Sequence, residues 1–244
     1  MRVEICVDSV EGALAAQKGG AQRVELCDNL MEGGTTPSLG MVRILRPQLH
    51  IGLHVMIRPR GGDFLYSQSE FEVMQEDIRI AREAKADGVV FGLLLPDGSI
   101  DLDRTRALIE LARPLQVTFH RAFDMCRNPI EALDQLIALG ADRLLTSGLE
   151  ASCLEGAPML AELQKHAANR IIIAAGGGIT PNNVKRIVEA TGVEEVHLSA
   201  RKSRESGMTF RNGSCFMGGT LRPPEFSLKM TDSGTVQQVI EQFS

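Results

Sequence analysis

Eight short runs along the chain alternate aliphatic with polar side chains, and within each run the two sets keep opposite parity. The runs open near Arg2, Arg23, Gly52, Gly88, Gln116, Arg143, Ile171 and Glu195. Their spacing of about 28 residues is that of one strand plus one helix. In the first run Val3, Ile5 and Val7 alternate with Glu4, Cys6 and Asp8; successive strand side chains point to opposite faces, so one face is left for helices to cover. The second run sets Val24 and Leu26 against Glu25 and Cys27, and the third sets Leu53, Val55 and Ile57 against His54, Met56 and Arg58. Further on, Val117 and Phe119 alternate with Thr118 and His120, and Val196 and Leu198 with His197, Ser199 and Arg201. The rhythm predicts an α/β fold, a TIM-type (β/α)8 barrel formed as one domain over residues 1–244. Branched aliphatics dominate the interior layers of such barrels. An inward face of acids, histidines and thiols therefore implies that something is bound or handled there.

The connecting segments carry helix boundaries. Asp8 precedes Glu11 by three residues, Ser69 precedes Glu72 by three, and Asn128, Pro129 and Glu131 supply a cap, an N1 proline and an N3 acid; each set predicts a helix start. Gly19-Gly20, Gly140, Gly192 and Arg113-Pro114 predict helix ends. Four even-numbered strands follow one recurring turn, seen in Gly20-Ala21-Gln22-Arg23, Lys85-Ala86-Asp87-Gly88, Gly140-Ala141-Asp142-Arg143 and Gly192-Val193-Glu194-Glu195. The stretch from about Lys202 to Thr231, with Gly213, Gly218-Gly219 and Pro223-Pro224, breaks the rhythm before a last helix near Asp232. It predicts an extended loop after strand eight, over the barrel mouth where function in this architecture is carried.

Length and composition narrow the class without changing the picture. The 244 residues, 43% hydrophobic and 23% charged with a formal charge of −5, offer no basic stripe for nucleic acid. No run reaches the roughly 18 apolar residues of a membrane span, and the first strand opens at residue 2. The expectation is a cytoplasmic protein without signal peptide, membrane segment or nucleic-acid partner. The odd count of five cysteines, at 6, 27, 126, 153 and 215, suits reduced thiols rather than a disulfide framework.

Two glycine-rich segments could cradle an anion. After strand seven, Gly176, Gly177 and Gly178 precede Thr180-Pro181, which predicts amides presented at a helix start, with Ser199 and Arg201 facing them from strand eight. The ligand expected is a phosphorylated or carboxylated metabolite; a tight turn requiring positive φ is the structural alternative. Gly33-Gly34-Thr35-Thr36-Pro37 repeats the order after strand two, and there a simple loop is as good a reading as a second anion site. The inward set Cys6, Cys27, His54, Met56, His120 and His197 offers the thiolate, thioether and imidazole ligands that Cu(I) selects. Cys6 and Cys27, on neighbouring strands about 4.8 Å apart, could share one ion or serve as small buried hydrophobes. Glu4, Glu25, Arg58 and His120 form a candidate catalytic set for acid/base chemistry beside the anion cradle, or a buried network that neutralises itself. No lysine takes an inward strand position, which argues against a Schiff-base aldolase.

The order of longer motifs then carries a resemblance. Val3-Glu4-Ile5-Cys6-Val7-Asp8-Ser9, Glu25-Leu26-Cys27, Met56-Ile57-Arg58-Pro59-Arg60-Gly61-Gly62-Asp63-Phe64 and Thr118-Phe119-His120-Arg121-Ala122-Phe123-Asp124 resemble the CutC family. Leu145-Thr146-Ser147-Gly148, Gly176-Gly177-Gly178-Ile179 and His197-Leu198-Ser199-Ala200-Arg201 extend the likeness over nearly the whole chain. The resemblance implies a TIM-type barrel, a cytoplasmic setting, a role in copper homeostasis or tolerance, and self-association as a homo-oligomer. It also implies Cys6 and Cys27 as Cu(I) ligands, with an acid/base enzyme acting on a phosphorylated or carboxylated metabolite as the alternative function.

Overall fold

The computed structural model describes residues 1–215, 217 and 224–243. Eight parallel strands close into a barrel in sequence order: β1 (Arg2–Val7), β2 (Arg23–Leu26), β3 (Gly52–Met56), β4 (Gly88–Phe91), β5 (Gln116–Phe119), β6 (Arg143–Thr146), β7 (Ile172–Gly176) and β8 (Glu195–Leu198). Pairing of β8 with β1, in register Glu4 to His197, shuts the ring. Helices α1 (Val10–Lys18), α2 (Leu39–Leu45), α3 (Gln68–Glu83), α4 (Leu102–Ala112), α5 (Pro129–Leu139), α6 (Ala157–Ala167), α7 (Val184–Thr191) and α8 (Ser233–Glu241) surround it. This is a TIM-type barrel. Its principal apolar core lies outside the ring, where the aliphatic parity of the strands, Val3, Ile5, Val24 and Leu26 among them, is fully buried. Against it α3 turns Phe71, Met74, Ile78 and Ala81 inward, at helical spacing.

The recurring turn before the even strands has a structural reason. The side chains of Gln22, Asp87 and Asp142 accept from the amides of Val3, Leu53 and Val117, at 2.8, 2.8 and 2.7 Å. The amides of the same three residues donate to the carbonyls of Val3, Leu53 and Val117. Each turn thus clips the preceding odd strand to the coming even one and sets the register of the pair.

Helix boundaries fall close to the expected ones, with three corrections. The cap of α1 is Ser9, which accepts from Gly12, and not Asp8; Asp8 instead pairs with Arg201 at 3.6 Å. The box on α3 is Ser67 with Glu70, because the helix opens two residues earlier than Ser69 and Glu72 imply. Helix α7 opens at Val184, with Thr180-Pro181 in the turn before it and Asn183 bonded back to Thr180 and Gly178. Asn128 and Asp232 cap α5 and α8 as expected.

The extended loop after β8 is in its described part a two-stranded ribbon. β9 (Arg201–Glu205) pairs antiparallel with β10 (Ser227–Thr231), Arg201 opposite Thr231. β9 holds no apolar residue, so no apolar parity marked it, whereas β10 alternates Leu228 and Met230 with Ser227, Lys229 and Thr231; Arg201 begins β9 rather than ending β8. Gly218-Gly219 and Pro223 lie outside the described residues. Among the described residues no helix is long and apolar enough to cross a membrane.

Candidate functional site

Inside the ring the polar parity builds a column of buried charge. At its floor Glu195 receives Arg23 Nη2 and Arg143 Nε, each at 2.6 Å, and Arg23 Nε pairs with Glu4. Arg143 is 1% exposed, and also donates to Thr118 Oγ1 at 3.4 Å. The three floor residues Arg23, Arg143 and Glu195 escaped the sequence reading as site members. Their signal was present, because they share parity with Glu25, Leu145 and His197 at the starts of their strands.

Glu4 links floor and mouth. Its Oε1 lies 2.8 Å from His197 Nδ1. Burial alone would raise the Glu4 carboxyl, but Arg23 and His197 hold it well below the usual carboxylate range. His197 Nε2 faces Glu25 at 3.7 Å. Burial opposes the charge on this imidazole, yet Glu25, Cys6 and Glu4 push its pKa well above the ordinary value. The imidazolium is thus the central cation of the upper layer.

Around it sit the two thiols. Cys6 Sγ and Cys27 Sγ are 3.7 Å apart, and Cys27 Sγ is 3.4 Å from Glu25 Oε2. Ligand atoms of Cys6, Glu25 and Cys27 all lie within 4.8 Å of one another, as do those of Glu4, Glu25 and His197. Hydrogen bonding from Cys27 outweighs burial and, with His197, brings the Cys6 thiol down to about 5. The same bond, together with burial, pushes Cys27 well above the usual thiol range. Burial, and then the charges of Cys6 and Glu4, raise Glu25 well above the usual range against the pull of His197. Of the two thiols Cys6 is thus the more acidic, and Glu25 is shifted toward its protonated form. Met56, with Val90 and Leu30, packs against the thiols.

The three interior imidazoles each lie against a glycine of a neighbouring segment. A Cβ on Gly88 would stand 2.6 Å from His54, one on Gly92 2.6 Å from His120, and one on Gly176 3.2 Å from His197. A larger residue at Gly88 or Gly92 would displace the ring, whereas at Gly176 it would first meet Leu145, at 2.6 Å. Burial, with Arg58 nearby, takes His120 down to about 3, so it is neutral. Its Nδ1 accepts from the Ala122 amide at 3.1 Å, which leaves the proton on Nε2. Nε2 is buried with no partner, and so is Glu25 Oε1.

Above these groups opens a cleft of about 290 Å³, reached by Cys6, Glu25, Met56, His120, Arg121 and His197. Arg58 acts here as a staple: Nη1 donates to the carbonyls of Glu32 and Gly34, and Nη2 to that of Gly62, joining the loops after β2 and β3. The amides of Gly33, Gly34, Thr35 and Thr36 are all spent on backbone carbonyls, so this segment is a folded loop with no free donors. At the second glycine segment Gly177 and Gly178 have φ of +136° and +69°. Arg201 is engaged by Asp8, Ser199 O accepts from Thr231, and the cation beside Gly177 is Arg121. Arg121 sits in a short turn after β5, where no periodicity singles it out. Cys126 and Cys153 are buried away from the thiol pair, and Cys215 is exposed.

Comparison with known proteins follows the same lines. Residues 1–202 match the model of the CutC family. The chain is 54% identical over 230 residues to the copper homeostasis protein cutC homolog of Mus musculus, covering 94% of this chain and 85% of that one. It is 50% identical over 239 residues to a family protein CutC of Bacteroides fragilis, covering 98% and 95%. The crystal structure of the putative copper homeostasis protein CutC from Streptococcus agalactiae superposes with a TM-score of 0.79 at 37% identity, over 82% of this chain and 98% of that one. A phosphoribosylanthranilate isomerase from Thermotoga maritima superposes at 0.58 with 14% identity, over 99% and 97%, a likeness of fold alone.

Proposed function

The chain belongs to the CutC family, and from that premise we propose that it takes part in copper homeostasis by binding Cu(I) directly through Cys6 and Cys27. The observation that carries this reading is the pair of inward thiols, 3.7 Å apart on adjacent strands. Two thiolates are ligands that soft Cu(I) prefers to the oxygen and nitrogen donors around them. The charge balance also suits a monovalent ion. With Cys6 already a thiolate, Cu⁺ takes the place of the Cys27 proton, so the net charge of the buried cluster does not change. A divalent ion would add charge to a site whose burial already opposes it.

Anaerobic titration with Cu(I) against a competing chelator tests the proposal. Cys6→Ser and Cys27→Ser each weaken binding by more than about 100-fold, beyond the loss expected for an outer-sphere partner. At pH 7 calorimetry in buffers of different ionisation enthalpy registers about one proton released per ion. Release climbs toward two, and affinity drops faster, as the pH falls through about 5, where Cys6 takes up its own proton. A double serine variant that binds Cu(I) as tightly as the parent, in the same stoichiometry, rejects these ligands.

A further inference from the structure

Arg121 opens the short turn Arg121–Met125 that follows β5. Its Nε donates to Asp124 Oδ2 at 2.6 Å and its Nη2 to Ser147 Oγ at 2.8 Å, which fixes the guanidinium plane. Asp124 is itself surrounded by donors, accepting from Thr146 Oγ1, from Ser147 and from the Leu149 amide. The negative charge beside Arg121 is therefore compensated from the other side. Among the described residues Nη1 has no acceptor, and it stands 3.5 Å from where a Cβ of Gly177 would lie.

The glycine loop next to it is pinned through its carbonyls. Gly177 O accepts from the Cys153 amide at 2.9 Å and Gly178 O from Asn183 Nδ2 at 2.9 Å. The amides of Gly177 and Gly178 have no acceptor among the described residues, in contrast to the spent amides of Gly33 to Thr36. Arg121 joins this loop to the neighbouring cleft, which it lines together with His120, a 4% exposed imidazole whose Nε2 is buried with no hydrogen-bond partner among the described residues. Copper held by thiols would use none of these hydrogen-bond donors.

From this arrangement we propose that the mouth binds a small organic phosphate monoester, its phosphoryl group held by Arg121 Nη1 and the amides of Gly177 and Gly178, its organic part extending into the cleft that Arg121 and His120 line. A phosphate fits better than a carboxylate. The Nε/Nη2 edge is committed to Asp124 and Ser147, so Arg121 offers only its Nη1 end, and donors arriving from that end and from two backbone amides suit a tetrahedral group. The phosphoryl group uses neither Cys6 nor Cys27, although Cys6 lines the same cleft as Arg121 and His120.

The test is an amide-resolved NMR titration of the metal-free chain with inorganic phosphate, with acetate and with glycerol 3-phosphate. Phosphate shifts the Gly177 and Gly178 amides saturably, and acetate binds at least about tenfold more weakly. Glycerol 3-phosphate binds more tightly than inorganic phosphate and moves the His120 ring resonances. Arg121→Gln weakens phosphate about tenfold or more, the equivalent of about 1.4 kcal/mol. Absence of saturable shifts at the two glycines overturns the site, and this holds on the parent protein even if Arg121→Gln does not fold. Acetate binding as well as phosphate overturns the ligand class, and a silent His120 overturns the placement of the organic part.

Discussion

The floor and the mouth of the barrel interior are built from the same residue types on the same strand parity, and they end in opposite states. At the floor every charged group is answered: Glu195 by Arg23 and Arg143, and Glu4 by Arg23. Neutral His54 lies at the border, 3.9 Å from Glu4. At the mouth Glu25 Oε1, Arg58 Nε and His120 Nε2 are buried without partners, and one thiol of the pair is a thiolate. An unsatisfied buried polar atom costs roughly 1–3 kcal/mol, so three of them weigh heavily in a fold whose net stability is about 5–15 kcal/mol. The floor pairs its charges within the chain, whereas the mouth, where we propose that ligands bind, keeps buried polar atoms without partners among the described residues, as does His54 Nδ1 at the border.

The largest effect should come from breaking the floor. Glu195→Ala leaves Arg23 and Arg143 buried against each other and is expected to destabilise by about 3–5 kcal/mol, read from urea unfolding. Cys6→Ser and Cys27→Ser, which abolish the proposed copper site, should each cost no more than about 1 kcal/mol. If the serine variants lose as much stability as Glu195→Ala, the division of labour between floor and mouth is wrong.

An intermediate effect concerns acid. Burial first, and cationic neighbours after it, bring His54 to about 4 and His120 to about 3, against about 6.5 in an unfolded chain. Between these values the unfolded state binds protons that the folded state refuses, so stability falls as pH drops from about 6.5 toward 3. Each such histidine contributes a slope of about 1.4 kcal/mol per pH unit. His120→Leu removes one proton's share, and urea unfolding at pH 6.5, 5.5 and 4.5 should show the slope reduced by that amount. An unchanged slope would mean that His120 titrates freely and that its Nε2 reaches solvent.

Much of this was legible in the chain itself. The eight strands, their inward parity and the meeting of Cys6, Cys27, Glu25, His120 and His197 follow from period-2 alternation, because parity survives any small error in where a strand begins. The ribbon was not legible, since β9 has no apolar residue, and β10, where Leu228 and Met230 flank Lys229, lies inside a stretch read as loop. The cation beside Gly177 was read as Arg201, from strand parity carried past the end of β8. The chain turns at Ala200, which has a positive φ, and hands Arg201 to Asp8, while Arg121 reaches the loop from a turn that has no period. Loops and turns are where pattern ends and tertiary contact decides.

The smallest expected effect is the sharpest test, because it applies one substitution to both ends of the column. Glu195 is ionised: burial disfavours its charge, but Arg143 and Arg23 keep its pKa below the usual value. Glu25, one layer above, has its pKa raised well above the usual value by burial and by the charges of Cys6 and Glu4, against the pull of His197. Glutamine is a near isostere of a protonated glutamate and a poor substitute for an ionised one. Glu25→Gln should therefore change unfolding stability by less than about 1 kcal/mol and Cu(I) affinity by less than about tenfold, since it removes neither a charge nor a thiolate. Glu195→Gln removes the one carboxylate paired with buried Arg143 and one of the two paired with Arg23, which keeps Glu4, and should cost about 3 kcal/mol or more. Equal losses at the two positions would show Glu25 ionised and paired with His197, 3.7 Å away, which would make the mouth a second ion-pair layer.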